Sequence, residues 1–85
     1  MKIIYSSKFA KNYKKLPNKT KLLAEKREKI FRENLYDPRL KTHRLTGKLS
    51  GFWSFSIDYK TRIIFEIRSE NEIWFLTVGS HDQVY

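Results

Sequence analysis

His43-Arg-Leu-Thr-Gly-Lys-Leu-Ser-Gly-Phe-Trp-Ser-Phe-Ser-Ile-Asp58 begins as a basic loop and ends as a strand. From Trp53 onward the odd positions, Trp53, Phe55 and Ile57, are apolar, and the even positions, Ser54, Ser56 and Asp58, are polar. A period of two is the pattern of a strand with one face in a core and the other in water. The stretch also holds Gly47 and Gly51, two of the three glycines in the chain.

Two further strands follow. A turn near Tyr59–Thr61 leads into Arg62 to Arg68, where Ile63, Phe65 and Ile67 share a face opposite Ile64. Ser69–Asn71 reads as a hairpin turn. Ile73 to Val78 is almost continuously apolar, as expected of a strand covered on both sides, and Gly79 ends it.

Upstream, Ile3, Ile4 and Tyr5 suit a short first strand. Ser6 or Ser7 can cap a helix carrying Phe9, Ala10, Tyr13 and Leu16, which Pro17 stops. Asn18 is placed to cap a second helix, buried along Leu23, Ala24, Ile30, Phe31 and Leu35 and interrupted by Arg27. A three-residue joint makes the pair an antiparallel hairpin. Residues 37–51 read as a loop. The order is β-α-α-β-β-β, an α+β class in which a helical hairpin packs on one face of a mostly antiparallel sheet. One domain, residues 1–85, is expected.

The 85 residues carry a formal net charge of +9. Residues 1–62 hold 17 of the 18 Lys and Arg, whereas residues 63–85 hold four acids and a single Arg. A field of that sign favours a polyanion. There is no cysteine, so disulfides and thiolate metal sites are excluded. Two histidines and scattered acids do not make metal-ligand spacing, and neither a metal nor a cofactor is expected. No apolar run approaches a membrane span and nothing resembles a signal peptide, so a soluble cytoplasmic protein is expected.

The candidate chemistry lies at strand ends. His43 opens the basic loop, Arg62 opens a strand, His81 follows Gly79-Ser80, and Tyr85 is the last residue. In a meander these can converge at one rim, in a positively charged hollow about as wide as a nucleotide. Two imidazoles, a guanidinium and a phenol suit cleavage of RNA by its own 2′-hydroxyl. A base takes the 2′ proton, an acid protonates the leaving oxygen, and a cation steadies the phosphoryl charge. The polar face of the Trp53 strand, Ser56 included, is expected to turn toward RNA.

Four segments, His43-Arg-Leu-Thr-Gly47, Gly51-Phe-Trp-Ser54, Arg62-Ile-Ile-Phe65 and Val78-Gly-Ser-His-Asp-Gln-Val-Tyr85, resemble the RelE/ParE superfamily of bacterial toxins from toxin–antitoxin modules. The likeness covers nearly the whole chain and is nearest the YafQ and YoeB branches. It implies a small α+β fold and a cognate antitoxin that wraps the toxin in a hetero-oligomer. In RelE-like branches it also implies cleavage of mRNA in the ribosomal A site. By resemblance His81 is the general acid, Tyr85 the aromatic lining the site, Arg62 the phosphate-binding arginine and His43 a candidate base. Lys41, Arg44 and Lys48 are candidate RNA-backbone contacts. Ser56 stands where YafQ-like members carry a second histidine. Thr77 or Val78 stands where they carry an arginine, a role Arg68 is a candidate to fill. The loop offers Asp37 but no glutamate matching that of YoeB. The alternatives are a ParE-like inhibitor of DNA gyrase and a module that only binds antitoxin or RNA. The pairing of His43 with His81 favours the nuclease.

Overall fold

A computed structural model describes residues 1–85. Strand β1 (Lys2–Tyr5) leads to Ser6, whose hydroxyl accepts the Phe9 N–H at 3.0 Å and starts helix α1 (Ser7–Lys14). The same hydroxyl donates to the Leu76 carbonyl at 2.8 Å, tying the helix start to a strand seventy residues away. Helix α2 (Asn18–Glu33) starts one residue earlier than its sequence suggests. Pro17 holds the cap position, its carbonyl accepts the Lys21 N–H at 3.0 Å, and Asn18 is already helical. The Pro17 backbone, at φ −59° and ψ 150°, enters the helix without help from a side chain.

Residues 37–51 are more ordered than a loop. A 3-10 turn, Pro38–Leu40, is capped by Asp37 and buries Leu40 completely. Strand β2 (His43–Arg44) and a second 3-10 turn, Gly47–Leu49, follow. Then come β3 (Trp53–Ser56), β4 (Thr61–Ser69), β5 (Glu72–Ser80) and a one-turn helix, α3 (His81–Val84). Sequence patterning foresaw neither β2 nor α3, because two and four residues are too few to show a period.

The sheet order is β1-β5-β4-β3-β2, with β1 parallel to β5 and every other pair antiparallel. The expected α+β architecture therefore holds. On the helix side Phe31 of α2 is fully buried, its ring 4.8 Å from Phe55, 5.0 Å from Phe65 and 5.3 Å from Phe75. Arg27, which broke the apolar stripe, leaves the core by donating to the Arg39 carbonyl at 3.1 Å.

The other face overturns an expectation. Ser54 and Ser56, expected in water, are 0% and 8% exposed. Alternation correctly assigned the strand but not the solvent: α3 packs on β4 and β5, and Tyr85 reaches back to Ser54. Ser56 therefore offers little surface to RNA.

Candidate functional site

Cross-strand register assembles the site. His43 on β2 lies opposite Ser54, Ser56 opposite Arg62, and Arg62 opposite Gly79. Directly opposed residues point to the same side, so His43, Ser54, Ser56 and Arg62 share the face away from α1 and α2. From β2 to β5 is three strand spacings, about 14 Å. Tyr85 narrows that gap: its hydroxyl donates to Ser54 Oγ at 2.5 Å, and its ring stands 4.4 Å from the His81 ring, edge to face. Residues scattered from 43 to 85 thus share one face of the sheet.

The face is open. A hollow of about 720 Å³ exists nearby, but none of His43, Arg62, His81 and Tyr85 lines it. That hollow is therefore not the one expected around these four residues.

Arg62 is held by the hairpin it opens. Its Nη1 donates to the Asp58 carbonyl at 2.7 Å and to the Thr61 carbonyl at 3.2 Å. No carboxylate lies within ion-pair distance of it; the nearest acid on its strand, Glu66, pairs with Arg68. Its remaining donors are free for an anion. Asp58 builds the hairpin by accepting the Lys60 N–H at 2.9 Å and the Thr61 N–H at 2.7 Å. Burial alone would raise the Asp58 carboxyl. Those hydrogen bonds and the Arg62 charge together hold it below the usual carboxylate range.

His43 is exposed, with Nδ1 2.9 Å from the Lys41 carbonyl. A carbonyl only accepts, so in the neutral ring Nδ1 carries the hydrogen and Nε2 presents a lone pair. His81 begins α3, its backbone N–H donating to the Lys60 carbonyl at 3.0 Å. Its ring Nδ1 lies 3.7 Å from the fully exposed Asp82 carboxylate, too far for a hydrogen bond.

Several candidate RNA-binding residues stand elsewhere. Arg68 is six residues from Arg62 at the other end of β4, about 20 Å away along an extended strand. It is bound to Glu66 at 2.8 Å and stacked 3.9 Å over Trp74, so it cannot replace a missing site cation. Arg44 lies opposite Trp53, on the helix-side face, its guanidinium 5.5 Å from that ring. Lys41 and Lys48 are exposed on the connection around β2.

Patterning missed the hollow itself. It follows the outer edge of β5 beyond the end of β1, between the α1–α2 joint and the β3–β4 hairpin. Lys8, Lys15, Lys19 and Lys60 line it, none paired with a carboxylate, and Asp58 is the only acid there. Each lysine looked like an ordinary solvated charge, and only the fold brings the four together.

With this geometry in place, residues 1–85 match the model of a family described as "Bacterial toxin of type II toxin-antitoxin system, YafQ". The chain belongs to the YafQ toxin family. Among solved structures it is similar to YafQ from E. coli strain BL21(DE3), with TM-score 0.83 and 17% identity over 99% of this chain and 97% of that one. It is also similar to a YoeB/ParE toxin from Agrobacterium tumefaciens, with TM-score 0.80 and 14% identity over 95% and 99%. The toxin in an E. coli DinJ–YafQ toxin–antitoxin complex gives TM-score 0.80 and 18% identity over 99% and 96%. No curated protein matches the chain. At these identities the likeness to solved structures concerns the fold, whereas membership of the YafQ family rests on the whole-chain match. No helix is long and apolar enough to cross a membrane.

Proposed function

We propose that this YafQ-family toxin is an endoribonuclease that cuts mRNA on the ribosome, in the cytoplasm, and is neutralised by a cognate antitoxin in a hetero-oligomer. The observation that carries the reading is an Arg62 guanidinium outside any ion pair, sharing one sheet face with two imidazoles and a phenol.

In the proposed reaction the RNA 2′-oxygen attacks the adjacent phosphorus. His43 Nε2 takes the 2′ proton, since Nδ1 is committed to the Lys41 carbonyl. Arg62 directs its free N–H groups at the non-bridging oxygens as charge gathers on them. The bond from phosphorus to the 5′ oxygen breaks, and protonated His81 supplies the proton to that leaving oxygen. The products are a 2′,3′-cyclic phosphate and a free 5′-hydroxyl. Tyr85, 42% exposed, offers a ring face on which an unpaired base can stack. The four-lysine hollow beside the hairpin supplies a path for flanking phosphates.

The exposure of His43, His81 and Tyr85 suits a substrate presented by something larger. That supports a ribosome-held mRNA. The E. coli DinJ–YafQ complexes support a cognate antitoxin as partner.

The test is cleavage of ribosome-bound mRNA read by primer extension, with His81→Ala and Arg62→Ala. Each is expected to lose about tenfold to ten-thousandfold in rate while remaining folded. Wild-type cutting by both variants would refute the site, and inhibition of purified gyrase without any cutting would replace the reading altogether.

A further inference from the structure

Ser54 is an unusual residue to find sealed in a sheet. It is 0% exposed, it lies on the face that carries the candidate chemistry, and its hydroxyl receives the Tyr85 phenol at 2.5 Å. Buried hydroxyls require partners, and this one comes from thirty-one residues away. Ser54 also stands directly opposite His43.

Helix α3 is a single turn and cannot order itself. Four bonds hold it. Ser80 N–H donates to Gln83 Oε1, His81 N–H to the Lys60 carbonyl, Tyr85 N–H to the His81 carbonyl, and the Tyr85 phenol to Ser54. The first three fix the backbone. Only the fourth fixes a ring, and that ring stands at 89° to the His81 imidazole with centroids 4.4 Å apart. Without Ser54 the phenol can swing into water, and the imidazole loses the surface it rests against.

We propose that Ser54 is a positioning residue: by anchoring the Tyr85 phenol it fixes the His81 ring, and it thereby sets the spacing between the two imidazoles on either side of it. Ser54 touches no reacting atom. It acts through Tyr85, while its backbone register with His43 fixes where that anchor stands on the sheet. The consequence for cleavage rests on the nuclease reading above, whereas the positioning itself does not.

The variants are Ser54→Ala, Tyr85→Phe and the two combined, each checked for native circular dichroism. The first readout is the His81 ring-proton resonance, which the edge-to-face Tyr85 ring displaces in the wild type. Both single variants should move it toward the position of a free histidine, by equal amounts. The second readout is single-turnover cleavage, expected to fall about tenfold to hundredfold in each single variant, as for a misplaced acid. Because the two side chains act as one device, the double variant should lose no more than the worse single one. An unmoved His81 resonance in Ser54→Ala overturns the proposal, and so do losses that multiply in the double variant. A displaced resonance in a protein whose wild type cuts no RNA upholds the positioning and removes the nuclease.

Discussion

Gly79→Ala puts a methyl group between β5 and the helix that folds back over it. The added Cβ would stand 2.8 Å from Gln83 Oε1 and 3.3 Å from both Gln83 Cβ and Val84 Cγ1. Gln83 Oε1 does not step aside freely, because it accepts the Ser80 N–H at 2.9 Å. Two responses are open. If α3 stays, the overpacking costs about 1–3 kcal/mol. If the far end of α3 lifts while His81 N–H keeps the Lys60 carbonyl, the Ser80–Gln83 and Tyr85–Ser54 hydrogen bonds break, at about 1 kcal/mol each. The molecule takes the smaller strain, so the penalty has a ceiling of about 2 kcal/mol. Replacing glycine also narrows the unfolded ensemble, which returns about 0.4–1 kcal/mol. The net loss is about 1 kcal/mol, a fall in melting temperature of about 4–8 °C for a chain this size. On the proposed nuclease reading, cleavage should suffer more, about tenfold to hundredfold, because either response displaces the His81 ring. The assays are a thermal melt and single-turnover cutting of ribosome-bound mRNA. Gly51→Ala is the control: with φ +97° and nothing within 4 Å of the new Cβ, it strains the backbone without touching α3. It should lower the melting temperature and leave cutting unchanged. A Gly79→Ala protein that melts and cuts like the wild type would refute the fold-back of α3 and everything built on it.

Asp58→Ala removes a carboxylate whose folded pKa is lowered, so its contribution is present above the unfolded value of about 3.9 and is lost as pH falls through the folded value. The stability gap between wild type and variant should therefore narrow below about pH 4; a gap that is constant from neutral to strongly acid pH, in urea melts, contradicts this. Changing Lys15, Lys19 and Lys60 to Gln should flatten the salt dependence of single-stranded RNA binding, by about 0.7 in log–log slope for each phosphate that is no longer neutralised. An unchanged slope in fluorescence anisotropy means that the hollow holds no phosphate. Phe31→Ala empties the centre of three aromatic pairings and should cost about 3–5 kcal/mol in denaturant unfolding. A loss below about 1.5 kcal/mol would show that the cluster collapses around the gap.

The fold was legible wherever periodicity ran long enough. Phe55 and Ile57, Ile63 and Phe65, and the run Ile73 to Val78 announce three strands, and all three pack as expected apart from solvent access on the far face. What stayed hidden was governed by partners distant in sequence. Ser54 carries no local sign of burial, since the group that covers it lies thirty-one residues later. Strand β2 exists because His43 and Arg44 meet Ser54 and Trp53, not because two residues prefer a strand. Of the candidate residues, His43, Arg62, His81 and Tyr85 do share a face. Ser56 lies on that face too, but is covered there, whereas alternation placed it in water.

Arg62 and Arg68 show why residue type alone could not choose between them. They occupy one strand six positions apart, and either could have been the phosphate ligand. The difference is where the acids lie. Glu66, Glu70 and Glu72 gather around the β4–β5 turn, and Glu66 takes Arg68 at 2.8 Å. At the other end Asp58 is the only acid beside Arg62, and its carboxylate is engaged by the Lys60 and Thr61 N–H groups. Its backbone carbonyl, not its charge, meets the guanidinium. The hairpin therefore orients Arg62 with uncharged carbonyls and keeps it out of a direct ion pair, with only the nearby Asp58 charge to offset it, which suits the proposed role of attracting a phosphate and holding it as negative charge develops. A directly paired carboxylate would have oriented the side chain equally well but weakened the field that the proposed reaction needs.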